Sequence, residues 1–92
     1  MARAIGRIGV DEVGGTGILI GPPADPLVEI NGAPVATAGQ LVASHGPYQH
    51  AAATMLARPE TNVFVGGRQV VAAGDFASCG DILVAGSNVF IG

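Results

Sequence analysis

Residues 28–39 read VEINGAPVATAG and residues 63–74 read VFVGGRQVVAAG. Set 35 positions apart, they match at Val28/Val63, Ile30/Val65, Gly32/Gly67, Val35/Val70, Ala38/Ala73 and Gly39/Gly74. Each opens on a short run of β-formers that breaks at a glycine-containing pair, Asn31-Gly32 or Gly66-Gly67. Such pairs meet the positive-φ demand of a two-residue hairpin turn. The spacing therefore predicts two β-hairpins, with return strands at Val35 and at Val70-Val71.

Outward from these stretches the repetition continues. Asn88-Val89-Phe90-Ile91-Gly92 repeats Asn62-Val63-Phe64-Val65-Gly66 as a truncated third copy. Gly17-Ile18-Leu19-Ile20-Gly21 corresponds to Asp81-Ile82-Leu83-Val84-Ala85-Gly86. After each full copy come a polar residue (Gln40, Asp75), an apolar one (Leu41, Phe76), and Ser44-His45-Gly46 or Ser78-Cys79-Gly80, here at an offset of 34. Units this small cannot bury a face alone and must stack. The expectation is an all-β fold of short hairpin repeats over residues 1–92, one domain with a narrow core of Val, Ile, Leu and Ala. His50–Ala57 holds good helix formers before Pro59, yet the repeat register favours irregular or extended backbone at Met55–Leu56.

Composition supports this. Gly is 15 of 92 residues, about twice the usual ~7%, which fits a chain of tight turns. Charged residues are 12%, about half the usual ~25%, and Lys is absent. With four Arg against seven acidic residues no basic patch can form, which disfavours nucleic-acid binding. Sparse charge in a β-rich chain leaves strand edges poorly defended and hints at a surface covered by another protein. The repeat hairpins, rich in apolar residues, are the expected docking face, with Arg58 and Arg68 at its rim or in solvent. The sequence shows neither a signal peptide nor an apolar run long enough for a transmembrane helix.

The single cysteine, Cys79, excludes an internal disulfide. His45 and His50 flank Gly46-Pro47-Tyr48 in the one sizeable insertion between copies. Imidazole and thiolate suit zinc, and His45, His50 and Cys79 form a set one short of four, which Asp11, Asp75, Asp81 or water would complete. Asp81 is the simplest by spacing. Iron is the alternative metal. The plainer alternative is a surface His turn and a small buried Cys. A Cys79/His50 catalytic pair meets the inventory of a small enzyme, but no nucleophile elbow, phosphate loop or zincin motif accompanies it. Gly14-Gly15-Thr16-Gly17 has no GK[ST] continuation and reads as a tight β-connection.

Asn31-Gly32-Ala33-Pro34-Val35-Ala36, Ala38-Gly39, His45-Gly46, His50, Ala73-Gly74-Asp75, Ser78-Cys79-Gly80, Gly86-Ser87 and Val89-Phe90-Ile91-Gly92 together resemble the PAAR-repeat family, over about residues 8–92. The resemblance implies a small conical β protein on the tip of the trimeric spike of a contractile injection machine, either a type VI secretion system or a contractile phage tail. It implies a structural, non-enzymatic role, capping and sharpening the spike for membrane puncture. It also implies a zinc near the apex held by three His and one Cys. His45, His50 and Cys79 match three of those ligands. The remaining His falls near Gly15 or Thr16, where this chain has none, and Asp81 or Asp11 stands as candidate fourth ligand. The eponymous Pro-Ala-Ala-Arg is Pro34-Val35-Ala36-Thr37 and Gln69-Val70-Val71-Ala72, without Arg in either. The implied partner is a VgrG-like or phage central spike protein. A non-covalent effector is the alternative, since the chain stops flush with its last repeat strand. The implied location is the tail tip or injected tip, after synthesis in the cytoplasm.

Overall fold

The structure, a computed structural model, describes residues 2–14, 17–43 and 53–92. Its strands are β1 (Arg3–Ala4), β2 (Glu12–Val13), β3 (Gly17–Ile20), β4 (Glu29–Ile30), β5 (Ala33–Pro34), β6 (Leu41–Val42), β7 (Phe64–Val65), β8 (Arg68–Gln69), β9 (Leu83–Val84) and β10 (Phe90–Ile91). No helix occurs among the described residues. The fold is all-β, and Thr54 and Met55 are extended, bridged to Leu41 and Ala77.

Both hairpin turns form as the sequence predicts. Asn31 (φ 52°) and Gly32 (φ 80°) link β4 to β5, and Gly66 (φ 59°) and Gly67 (φ 80°) link β7 to β8. Two consecutive positive φ angles are the demand that Asn-Gly and Gly-Gly meet at least cost. The return strands start two residues earlier than expected, at Ala33 and Arg68, because a two-residue turn pairs Ile30 with Ala33 and Val65 with Arg68. Val35 and Val70 instead bridge outward, to Arg7 and Thr37.

The third hairpin is made from the two ends of the chain. β10 pairs antiparallel with β1, Ile91 opposite Arg3 and Phe90 opposite Ala4. The truncated copy at residues 88–92 thus finds its missing half at the N-terminus, where residues 3–9 take the register of residues 33–39 and 68–74. Bridges Arg7–Val35, Thr37–Val70 and Ala72–Ile5 then join the copies in a cycle. The Gly6 amide donates to the Val71 carbonyl (2.8 Å), Val71 to Ala36 (3.2 Å), and Ala36 back to Gly6 (2.9 Å). Three copies close a ring with approximate threefold symmetry.

The side chains obey the same symmetry. Ile5, Val35 and Val70, one from each copy, form a buried cluster against partly buried Ile30, Val65 and Ile91. The larger cluster contains Leu19, Met55 and Leu83, the three bulkiest fully buried residues, with Val13, Val42 and Ala77 around them. The amides of Gly9, Gly39 and Gly74 donate to the carbonyls of Leu19, Met55 and Leu83 at 2.8, 2.8 and 2.9 Å. Full burial of such side chains contributes about 1.5–3 kcal/mol each. With one residue per copy in each layer, no single strand needs to carry more than a few apolar side chains.

Candidate metal centre and docking face

The ring has two unlike ends. At one end three connections leave the β2, β6 and 76–77 segments and return. Their bases are the pairs Val13 with Gly17, Val42 with Ala53 (N–H···O 3.0 Å) and Ala77 with Asp81 (2.8 Å). Gly14, Ala43 and residues 78–80, the described residues next to these bases, therefore share this end, and Cys79 sits in the last of them. His45 and His50 belong to the second connection and lie outside the described residues, as do Gly15 and Thr16.

The Cys79 turn is fastened to the strand that follows the His-bearing segment. The Ser78 amide donates to the Thr54 carbonyl (2.7 Å), and the Thr54 amide donates to Ser78 Oγ (3.0 Å). Cys79 is half-buried, and its Sγ lies 3.7 Å from Asp81 Oδ2. Zinc–sulfur and zinc–oxygen bonds of about 2.3 and 2.0 Å at a tetrahedral angle put two ligand atoms roughly 3.5 Å apart. Cys79 and Asp81 are thus close to the separation that two ligands of one tetrahedral metal adopt. Among the described residues no group of three His, Cys, Asp or Glu side chains gathers around a common point.

The structure sends the other two aspartates elsewhere. Asp11 is buried with both oxygens engaged. Oδ2 accepts the Arg7 amide (2.8 Å) and Arg7 Nε (3.1 Å), and Oδ1 accepts Arg7 Nη2 (3.0 Å) and the Gly86 amide (3.1 Å). These hydrogen bonds raise the Arg7 guanidinium above its ordinary value, against the opposing pull of burial. Asp75 is buried between Arg3 and Arg58, and its Oδ2 accepts the Ala72 amide (2.9 Å). Gln40 holds the third equivalent position, its Nε2 donating to the Ile20 (2.8 Å) and Pro22 (3.2 Å) carbonyls. Asp11, Gln40 and Asp75 are three clasps, each fastening the connecting segment of an adjacent copy. Buried ion pairs of this kind are costly to break once one partner is removed.

The sequence reading missed Arg7. Residues Ala4-Ile5-Gly6-Arg7 occupy the register of Pro34-Val35-Ala36-Thr37 and Gln69-Val70-Val71-Ala72, so the first copy carries an Arg where the others have Thr37 and Ala72. The signal was present, but it becomes readable only when the N-terminus is joined to the C-terminal half-copy.

At the opposite end the three hairpins present an apolar surface. Val28, Val63 and Val89 hold equivalent positions, their carbonyls accepting the amides of Val35, Val70 and Ile5, and all three side chains are exposed. Two residues on, Ile30, Val65 and Ile91 lie on the same side of their strands and rest on the Ile5/Val35/Val70 cluster. Phe64 and Phe90 are exposed on the reverse side, where the copy at residues 28–39 has Glu29. Arg58, expected at the rim, is occupied with Asp75 (3.2 Å).

Against known families, the model described as the PAAR motif matches residues 12–85. No curated protein matches the chain.

Proposed function

The chain belongs to the PAAR-motif family, and on that premise we propose that it is a conical tip which caps the trimeric spike of a contractile injection machine, a type VI secretion system or a phage tail. The module is structural rather than catalytic, as family membership implies. The observation that carries the reading is the closed ring of Gly6, Ala36 and Val71 with one layer residue from each copy. A single chain with threefold pseudosymmetry can offer each protomer of a trimer a near-identical surface. A trimeric β-spike ends in unpaired strand edges, and a cap is one way to cover them. The hairpin end, with Val28, Val63 and Val89 around the Ile30/Val65/Ile91 set, is the docking face. The loop end is the apex.

At the apex one metal ion, zinc with iron as the alternative, is held by His45, His50 and Cys79, with Asp81 as fourth ligand. Support comes from the half-buried Cys79, the 3.7 Å approach of Asp81 Oδ2, and the Ser78–Thr54 clamp that brings the Cys79 turn to the base of the His-bearing connection. Asp11 is set aside as a ligand because Arg7 and Gly86 take its oxygens. The ion would supply cross-links between connections that carry little apolar content, since a structural metal's binding energy is folding energy.

Copurification with the cognate trimeric spike protein, with metal quantification on the same sample, tests both parts. The expected result is one chain per spike trimer and one zinc or iron per chain. The V28D/V63D double variant should lose the spike and keep the metal, and Cys79→Ser should lose the metal. A wild-type chain that folds yet ignores the spike overturns the docking role. Freshly purified protein without metal overturns the apex site.

A further inference from the structure

The threefold repetition allows each clasp to be checked against its counterparts. In one, Arg3 on a hairpin return strand lies against the Ala73 carbonyl (3.3 Å) and pairs with the Asp75 carboxylate, joined there by Arg58. The equivalent of Arg3 one copy away is Arg68. It reaches the equivalent carbonyl, that of Ala38 (3.4 Å), but the equivalent of Asp75 is the neutral Gln40. The equivalent of Arg58 is Pro22, whose carbonyl accepts Gln40 Nε2. Arg3, Arg7 and Arg58 are each paired with an aspartate, whereas no carboxylate lies within ion-pairing distance of Arg68 among the described residues. The Thr37 amide likewise has no carboxylate cap, although its counterparts Arg7 and Ala72 donate to Asp11 and Asp75.

The cavities repeat this difference. A groove of about 250 Å³ runs between Arg58, Glu60, Gly92 and Arg3. Its symmetry mate runs between Pro22, Ala24, Gly39, Gln40, Gly66 and Arg68 and is larger, about 470 Å³. Its wall is set by a close approach: a Cβ on Gly66 would stand 2.6 Å from the Ala24 carbonyl oxygen.

We propose that the Arg68 groove is a carboxylate-binding site, in which an incoming carboxylate pairs with Arg68 as Asp75 pairs with Arg3. The guanidinium's planar fork suits a carboxylate in two-point contact. The carboxylate comes either from an Asp or Glu side chain of the docked spike or from a free small acid, and the same Arg68 contact serves both. The site goes beyond the spike-tip reading, because its acetate test requires no spike.

The experiment uses the full chain, with its metal content unchanged, and acetate as the probe at fixed ionic strength set with chloride. NMR follows the Arg68 Nε–H signal against that of Arg3. Saturable movement of Arg68 with Arg3 still is the expected result. R68Q should weaken acetate binding at least tenfold, and Q40D, which restores an internal carboxylate, should also abolish the response. R68Q replaces an exposed side chain, and its unchanged dispersion would confirm that it folds. Equal acetate response in wild type and R68Q overturns the proposal, as does saturable binding of inorganic phosphate without acetate binding. A spike affinity that falls in R68Q assigns the carboxylate to the spike. Unchanged spike affinity with intact acetate binding assigns it to a free acid.

Discussion

The hairpin end and the loop end of the ring are built on one plan and held by different means. At the hairpin end each copy contributes a two-residue turn, or the paired chain ends, and one residue of the Ile5/Val35/Val70 cluster. The copies there are nearly interchangeable, and local chemistry suffices. At the loop end the Leu19/Met55/Leu83 layer keeps the symmetry, but the connections beyond it do not. In sequence, three residues separate Val13 from Gly17 and Ala77 from Asp81, whereas ten, His45 and His50 among them, separate Val42 from Ala53. Symmetry is strict where stability is shared among the copies and relaxed where the copies differ in sequence.

The largest effect should come from the layer beneath the loops. Met55→Ala removes one of three equivalent, fully buried side chains and should cost about 2–5 kcal/mol, measured by urea unfolding. M55L, which makes the layer uniform, should cost less than about 1.5 kcal/mol. A mild M55A would mean that this layer carries little load and that the loop end is held some other way.

A smaller effect should separate the two ends directly. C79S, or chelation of the wild type, should lower stability by about 2 kcal/mol, some 8–16 °C in Tm for a chain of this size. Hydrogen exchange should rise at the Val42 and Ala77 amides near the loops while Val35 and Val70 stay protected. Uniform loss of protection would show that the ends do not separate.

The smallest effect concerns the twin turns. Gly32 and Gly67 both have φ 80° with open space where a Cβ would go. G32A and G67A should each cost about 1 kcal/mol by the strain of a left-handed residue, and by nearly the same amount. Unequal costs would show that the hairpins are less alike than their backbones.

How much of this was legible follows from where each interaction runs. The turns were readable because Asn31-Gly32 and Gly66-Gly67 act within a few residues. Val35 and Val70, the most apolar residues after each turn, read as strand starts, although the return strands begin at Ala33 and Arg68. The partners of Val35 and Val70, Arg7 and Thr37, belong to other copies. The first copy went unseen because its halves lie at opposite ends of the chain. Asp11 looked like a ligand because a carboxylate's fate depends on its neighbour, and Arg7 reaches it only when residues 7–11 curl back on themselves. For the proposed metal site the sequence offers imidazole and thiolate as ligand types, and the structure adds the nearness of Asp81 to Cys79. His45 and His50 lie outside the described residues.

The pairing of β1 with β10 has a kinetic consequence. The ring cannot close until Arg3 meets Ile91, the most distant encounter its pairings require. Loop-closure entropy must be overcome before that contact can reward it, so folding should be slow for so small a chain. Because this junction is only one of three equivalent corners, the same ring could be cut at Asn31-Gly32 and sealed between Gly92 and Ala2, which then form the two-residue turn between Ile91 and Arg3. Such a circular permutant would keep every layer and change only which closure comes last.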